Sequence, residues 1–304
     1  MSIICRPAQI TDIPAISEVY WRSVTDISER HGYCAPPRSA SGINPFYAFM
    51  LSEEPQGFYI AEDAGRIVGA CFSWVRGTVW FLSHLFILPE YQGSGVGKIL
   101  LEKTLGYCRS SGAQHRGVIT MGFNTVSLAL YMHAGMYPRE SIYLMKYDAN
   151  RAVRSTNMGE NTGVRWDQID PVDDAVESIH RIDESVLGMR REQHHRFYLS
   201  DRRASCRLFS RNGNVIAYAY LWDDGRIGPL AVISESYVTD VLRDALGCER
   251  TQARSAYMLV PGSNSRALNL ALSSGFTITQ PYVLLSSRSF GKWDSYVLHS
   301  PGQL

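Results

Sequence analysis

The stretch from Leu85 to Leu101 constrains the fold most, because a strand, a glycine-rich turn and a helix follow one another there without a break. Val79–Leu88 is apolar and aromatic almost throughout, which is typical of a strand covered on both faces. Pro89 ends that strand, since proline has no N–H group to donate to a ladder. From Val96 onward, apolar residues recur at helical spacing. The sequence therefore predicts an α/β unit built around a strand–turn–helix junction.

The turn in this junction carries Gly93, Gly95 and Gly97 at alternate positions. Glycine lets the main chain approach a ligand without a side chain in the way. The first turn of a helix also presents N–H groups without an acceptor and a partial positive charge. Together these features predict an anion site of the kind that binds a diphosphate. The alternative is a tight turn between strand and helix that binds nothing.

Two common phosphate loops do not fit these residues. A Walker loop needs Ser or Thr after Gly-Lys, and here Lys98 is followed by Ile99. A dinucleotide loop has the spacing Gly-x-Gly-x-x-Gly, and the third glycine of this turn comes one residue too early for it. The segment Gln92-x-x-Gly95-x-Gly97, directly after the predicted strand, resembles the acetyl-CoA loop of the GNAT acyltransferase superfamily, whose pattern is Gln/Arg-x-x-Gly-x-Gly/Ala.

This resemblance implies which residues would bind acetyl-CoA as a co-substrate. The main-chain amides of the loop would hold the diphosphate; they belong to Gln92, Gly93, Ser94, Gly95, Val96, Gly97 and Lys98. In the family the strand splays from its neighbour, and its exposed main chain, here at Phe86, Ile87 and Leu88, pairs with the pantetheine amides. The family also has an asparagine at the start of the next helix, which matches Asn124.

The same resemblance implies a proton donor. The family has a tyrosine seven residues after that asparagine, here Tyr131, as the general acid for the leaving thiolate. Seven residues are two helical turns, so Asn124 and Tyr131 can face the same side. The alternative interpretation is a core tyrosine whose hydroxyl is satisfied inside the protein.

The general base is less well defined by the sequence. His84 is the first candidate, because it lies on the strand that leads to the thioester, where related enzymes often place acidic or histidine residues. A structural histidine is the equal alternative. Glu53, Glu54 and Glu140 are further candidates, and a route through water needs no single base.

Charge and composition limit the expected partners. The chain has 30 Lys and Arg against 29 Asp and Glu, a net charge of +1, which gives no electrostatic case for nucleic acid or an anionic membrane. The six cysteines form no Cys-x-x-Cys pair, which favours free thiols in a reducing compartment. Without a signal peptide or an apolar stretch of membrane length, a cytoplasmic protein is expected. We expect no metal site, and we interpret His194-His195 as solvated surface of a helix.

An internal repeat predicts two similar units. Gly65–Trp74 aligns with Gly213–Trp222 at an offset of 148 residues, and Asn124 and Gly135 align with Asn264 and Gly275 at an offset of 140. The missing eight residues fall in the strand–loop–helix segment, where the second unit has no Gly-x-Gly loop. We predict an acetyl-CoA-binding GNAT domain over residues 1–150, a linker over 151–163, and a degenerate GNAT-like domain over 164–304.

The predicted fold class is thus α/β, with two tandem GNAT-like units that each have a mixed, mostly antiparallel twisted sheet flanked by helices. The predicted function is acetyl-CoA-dependent N-acetyl transfer to an amine on a small molecule or a peptide. The alternatives are a non-catalytic acyl-CoA-binding or regulatory module on the same fold, and an interaction protein whose loop binds no nucleotide. The sequence does not define the acceptor, the acyl-chain preference or the oligomeric state.

Overall fold

The computed structural model describes residues 2–35, 44–147, 165–168, 173–252 and 256–304. The chain forms two compact units, each assembled from separate stretches of sequence. The first unit comprises Met1–Ile119, Phe123–Tyr137 and Leu285–Arg288; the second comprises Thr120–Gly122, Pro138–Leu284 and Ser289–Leu304. The predicted linker over 151–163 lies outside the described residues, so the predicted domain boundaries stay a prediction.

Among its described residues, the first unit contains five strands and four α-helices. The strands are β1 (Ile3–Pro7), β2 (Phe58–Asp63), β3 (Arg66–Arg76), β4 (Val79–Ile87) and β5 (His115–Met121). The helices are α1 (Ile13–Arg30), α2 (Pro45–Glu53), α3 (Val96–Ser110) and α4 (Thr125–His133). The strands lie in the order β1-β2-β3-β4-β5, and all neighbours are antiparallel except β4 and β5, which are parallel. The predicted α/β fold with a mixed, mostly antiparallel sheet is confirmed.

The sheet of the first unit separates two sets of helices. Phe72 of β3 pairs with His84 of β4, and the ring of His84 contacts Tyr47 of α2, so this face carries α1 and α2. Cys71, one residue earlier, pairs with Leu85 and lies on the opposite face. Its sulfur lies 3.4 Å from the Leu100 carbonyl oxygen of α3. The side chains of neighbouring residues of β4, His84 and Leu85, therefore lie on opposite faces of the sheet.

The second unit contains the remaining elements. Its strands are β6 (Tyr137–Tyr147), β7 (Arg165–Gln168), β8 (Ala204–Arg211), β9 (Asn214–Trp222), β10 (Ile227–Val232), β11 (Tyr257–Pro261), β12 (Phe276–Ser286) and β13 (Tyr296–Val297). Its helices are α5 (Asp173–Leu187), α6 (Glu192–Ser200), α7 (Val238–Gln252) and α8 (Ser265–Ser273). β6 pairs with β11, and a five-stranded sheet has the order β13-β10-β9-β8-β7.

The repeat predicted from the sequence is present in the local geometry. The Asn124 side chain caps α4 by accepting a bond from the Ser127 N–H at 3.1 Å, and Asn264 caps α8 in the same way at 3.0 Å. Both helices have nine residues and end before a glycine with positive φ. The strand pairs β2–β3 and β8–β9 also share a register shift at positions 148 residues apart.

The polar run on α6 is not solvated, and that interpretation of His194-His195 was wrong. Both side chains are fully buried. His195 Nε2 lies 2.8 Å from Asp183 Oδ2 and Nδ1 lies 3.0 Å from the Tyr220 hydroxyl, while Arg191 Nε donates to Asp183 at 2.8 Å. Burial alone would raise the pKa of Asp183, but Arg191 and His195 hold it below its usual range. Burial is possible because these charges are paired.

We expect Asp183→Ala to lower the free energy of unfolding by about 3–5 kcal/mol, because Arg191 would stay buried without its counter-charge. Arg203→Ala is the control, since its pair with Asp201 is exposed at the arginine, and we expect it to cost at most about 1 kcal/mol. Denaturant unfolding checks both values. Equal losses in the two variants would contradict a structural role for the buried pair.

Within the ranges that the structure describes, no helix is long and apolar enough to cross a membrane.

Candidate acetyl-CoA site

The first feature of the site is a gap in the sheet of the first unit. The parallel pairing of β4 with β5 ends at Leu82 and Val118, whereas β4 stays paired with β3 as far as Ile87 and Gly69. The last part of β4 thus has β3 on one edge and no described strand on the other. The splay expected from the family resemblance is present in this structure.

The hydrogen bonds between β3 and β4 show which main-chain groups of β4 face the gap. The Leu88 N–H donates to the Val68 carbonyl at 2.9 Å, so Leu88 is turned toward β3. The main-chain N–H and C=O groups of successive residues in a strand point to opposite edges. Those of Phe86 are therefore also turned toward β3, and those of Leu85 and Ile87 are turned toward the gap. Of the three predicted strand-end residues, Ile87 turns its N–H group toward the gap, while its carbonyl accepts hydrogen bonds from Ser23 and Gln92. Leu85 was missed by the sequence reasoning, although the alternation of the ladder could have indicated it once the pairing was known.

The glycine-rich turn leaves open space in front of the helix. Gly93 has a φ of 79° and Gly95 a φ of 90°, in the left-handed region that favours glycine. A Cβ atom added at either position would meet no atom within 4 Å. Gly97 lies inside the first turn of α3, and a Cβ there would only make ordinary contacts, with Ile87 and Leu130 at 3.8 and 3.9 Å. Two of the glycines are therefore required by the backbone, and the space beside them can admit a ligand.

The start of α3 has the properties of an anion site. Gly95 is the N-cap and supplies no side-chain cap, while the N–H groups of Lys98 and Ile99 donate to its carbonyl. The N–H groups of Val96 and Gly97 precede the first complete turn and have no acceptor within the helix. The buried Val96 side chain anchors this end, and the partial positive charge of the helix adds to the amides. A diphosphate fits this donor set, and Ser94 and Lys98 are exposed beside it.

Tyr131 lies on the α3 side of the sheet. Its side chain is 4% exposed, and burial raises the pKa of its hydroxyl above the usual value of 10, an effect that a hydrogen bond with Ser127 partly offsets. The Cys71 thiol, which belongs to this face, raises that pKa further. The hydroxyl is therefore protonated at neutral and moderately alkaline pH, as a proton donor must be. Asn124 acts as the cap of the helix that carries Tyr131.

His84 lies on the opposite side, among aromatic rings of α1 and α2. Its ring centroid is 5.8 Å from Tyr20, 5.4 Å from Tyr47 and 5.4 Å from Phe86, and its Nδ1 is 3.1 Å from the Ser83 hydroxyl. Burial lowers the pKa of His84 to about 4, so the imidazole is neutral at pH 7. The rings of His84, Tyr47 and Phe86 border a cavity of about 10 Å³, which is room for one very small group. The structure does not bring His84 and Tyr131 together on one face.

The glutamates named as alternative bases have other surroundings. Glu54 is buried, where it binds Arg76 at 2.6 Å and accepts a hydrogen bond from the Tyr107 hydroxyl at 2.7 Å. Glu140 belongs to the second unit and accepts a hydrogen bond from the Ser263 N–H at 2.8 Å. Glu53 is exposed at the end of α2. Among the residues with described side chains, no group of three or more His, Cys, Asp or Glu is arranged to hold a metal ion.

The corresponding segment of the second unit lacks these features. Five residues separate β10 from α7, against eight between β4 and α3, and none of the five is a glycine. Glu235 lies in this segment, where a carboxylate would repel a diphosphate. The residue that matches Tyr131 is Ala271, which is fully buried.

Comparison with known proteins shows a similarity over most of the first unit. Residues 15–136 match the model of the acetyltransferase (GNAT) family. An uncharacterized N-acetyltransferase of Archaeoglobus fulgidus is 36% identical over 72 residues, which are 21% of this chain and 49% of that protein. The chain thus spans about half the length of that relative.

Solved structures share the fold over nearly the whole chain. A putative acetyltransferase from Pyrococcus horikoshii has a TM-score of 0.76 at 16% identity, covering 99% of this chain and 96% of the other. A tandem GNAT protein from the clavulanic acid biosynthesis pathway has a TM-score of 0.63 at 13% identity, covering 94% and 98%. Over residues 15–136 the chain is thus similar to the GNAT family, and its two-unit fold is similar to that of the tandem GNAT protein.

Proposed function

We propose that the first unit is an acetyl-CoA-dependent N-acetyltransferase that transfers the acetyl group directly to an amine on a small molecule or a peptide. The observation that carries the proposal is the juxtaposition of the open edge of β4 with the uncapped start of α3. An open strand edge offers main-chain partners for the amides of a pantetheine arm, and the helix start offers donors for a diphosphate. Acetyl-CoA carries both groups next to each other, because its pantetheine arm is attached directly to its diphosphate.

Each part of the site has a distinct task. The amides of residues 93–97 bind the diphosphate, because the Gln92 and Lys98 N–H groups already donate to the Pro89 and Gly95 carbonyls. Leu85 and Ile87 orient the pantetheine arm along the gap. Acetyl-CoA supplies an activated acetyl thioester. Tyr131, held protonated by burial, donates the proton from its hydroxyl oxygen to the leaving thiolate.

On the α1 and α2 side, His84 contacts the amino group of the acceptor. A neutral imidazole can accept a hydrogen bond from the amine and orient its lone pair. Its lowered pKa makes it a weak base at pH 7, so the ammonium form of the acceptor loses its proton through water. Among the alternatives raised by the sequence, this assigns His84 to orientation and leaves deprotonation to solvent.

A turnover assay tests the proposal. Release of CoA from acetyl-CoA is followed with a panel of amines that includes diamines, amino acids, aminoglycosides and peptides with free N-termini, against reactions without acceptor. Release above that background with at least one amine supports the enzyme. Binding of acetyl-CoA without turnover over the whole panel would favour a regulatory module, and no thermal shift with acetyl-CoA would favour an interaction protein.

We expect one acetyl-CoA to bind per chain, because among the described residues the glycine turn directly before an uncapped helix start belongs to the first unit, and the position that matches Tyr131 in the second unit is Ala271. The segment before α7 has a carboxylate and no glycine instead. Calorimetric titration of the intact chain should give a stoichiometry of about one. Two sites of similar affinity would contradict the assignment of the second unit as degenerate.

A further inference from the structure

Helix α1 reaches both elements of the candidate site through two polar side chains. Ser23 and Arg30 are seven residues apart, which is two helical turns, so they lie on one face of α1. The Ser23 hydroxyl oxygen lies 2.8 Å from the Ile87 carbonyl oxygen at the end of β4, and 2.6 Å from the Val19 carbonyl oxygen. Arg30 reaches the first residue of the glycine turn, Gln92.

The carboxamide of Gln92 is held from both ends. Its Oε1 accepts a hydrogen bond from Arg30 Nη2 at 3.2 Å, and its Nε2 donates to the Ile87 carbonyl at 3.2 Å. Arg30 is itself held by Asp26, one turn earlier on α1, at 2.6 Å. Since an arginine has only donors, it can pair with the oxygen of the carboxamide but not with its NH₂ group. Arg30 therefore fixes which end of Gln92 points at Ile87.

We propose that Arg30 is a positioning residue for acetyl-CoA, acting through Gln92. This inference rests on the proposed function of the site. With the carboxamide fixed, its NH₂ group holds the Ile87 carbonyl, and the Ile87 N–H keeps its direction into the gap. The same contact ties the end of β4 to the start of the glycine turn, so the two parts of the site stay at a constant separation.

Loss of Arg30 would free the carboxamide of Gln92 to rotate. In the rotated state two oxygens, Oε1 of Gln92 and the carbonyl of Ile87, would face each other without a hydrogen between them. The Ile87 carbonyl would then have only the Ser23 hydroxyl as a donor, and the Val19 carbonyl competes for the same hydrogen. Because the Arg30 side chain is 51% exposed, we expect a moderate effect, equal to about one net hydrogen bond, which is about 5-fold in affinity.

The test is a double-mutant cycle on the full chain, with acetyl-CoA affinity measured by calorimetry. We expect Arg30→Ala and Gln92→Ala each to weaken binding by about 5-fold. In the Gln92→Ala background, Arg30→Ala should have no further effect, because its partner is already gone. Arg30→Lys, which keeps a charged donor, should recover part of the affinity. Arg22→Ala is the matched control: Arg22 also lies on α1 and pairs with Glu90 beside the turn, but it has no described contact with Gln92.

The possible outcomes separate this inference from the proposed function. If the wild-type chain binds no acetyl-CoA, the proposed function fails. If the wild type binds acetyl-CoA and Arg30→Ala binds it equally well, only the role of Arg30 is overturned. Additive losses in the double variant, or an equal loss in Arg22→Ala, would also overturn it, because either result would indicate a general effect of charge on α1. In steady-state assays the change should appear in KM for acetyl-CoA and not in KM for the acceptor.

Discussion

Gly95→Asp should weaken acetyl-CoA binding by on the order of 100-fold or more. Gly95 has a φ of 90°, a conformation that costs other residues about 1–2 kcal/mol. The new carboxylate would also lie at the N-cap of α3, where it would accept hydrogen bonds from the N–H groups of the first turn and repel a diphosphate. Both effects remove the features on which anion binding depends. Calorimetric titration with acetyl-CoA measures the loss.

Gly112→Asp is a matched control for backbone strain. Gly112 has a φ of 75°, a Cβ atom there would meet no atom within 4 Å, and it lies just beyond the other end of α3. We expect it to lower stability as Gly95→Asp does but to leave affinity unchanged. Gly97→Asp complements it, because this position has helical backbone and the substitution adds charge with little strain. Wild-type affinity in both Gly95→Asp and Gly97→Asp would refute the assignment of the phosphate site.

Replacing Tyr131 with phenylalanine should lower kcat by about 10²–10⁴-fold, the range typical of losing a general acid. The change removes one hydroxyl from a buried side chain, so the Kd for acetyl-CoA should change little. Tyr137→Phe is the control, because Tyr137 is 53% exposed and has no part in the proposed chemistry. Steady-state kinetics over a range of pH, together with a binding titration, give both quantities.

The pKa of Tyr131 fixes the sign of its effect on the pH profile. Burial raises this pKa above 10, so the acid form is fully present at neutral pH and is lost only when the pH rises beyond the usual tyrosine range. The alkaline limb due to this group should therefore lie above pH 10, and it should be missing in Tyr131→Phe. A variant with near-wild-type kcat over the whole range would assign Tyr131 to packing.

The junction between β4 and α3 could be predicted from the sequence because its signals are local. Proline ends the strand, and glycine allows the positive φ angles that Gly93 and Gly95 adopt. Asn124 was predicted to bind the cofactor, and its role as a helix cap was not predicted, although an asparagine before an apolar helix commonly has that role. The α/β class followed from these elements and from the repeat.

The surroundings of His84 could not be predicted, because they depend on a bulge. Leu82 pairs with Ser73 and His84 pairs with Phe72, so Ser83 is the extra residue of β4. Without the bulge, residues two apart would share a face, and His84 would lie with Leu82 on the α3 side. The bulge turns His84 toward α1 and α2 instead. His84 is neutral because it is buried among residues such as Tyr20 and Tyr47, which are distant from it in sequence.

The burial of His194-His195 was missed for a related reason. A polar run on a helix favours a solvated surface only if no other element supplies counter-charges. Here Asp183 comes from the preceding helix and Tyr220 from a strand, and neither is close in sequence. The contacts of Arg30 with Gln92 also join residues 62 positions apart, which no local pattern reveals.

The division of strands between the compact units bears on how such a chain can evolve. β6 follows the first unit in sequence, yet its ladder partner β11 comes more than a hundred residues later. Conversely, the first unit includes Leu285–Arg288, where the Ser287 N–H donates to the Arg116 carbonyl at 2.9 Å. A gene shortened after β6 would encode a product with an unpaired strand edge, which favours aggregation. In a duplicated chain such an exchange makes the loss of either copy costly, because each unit is assembled from stretches of both halves of the sequence.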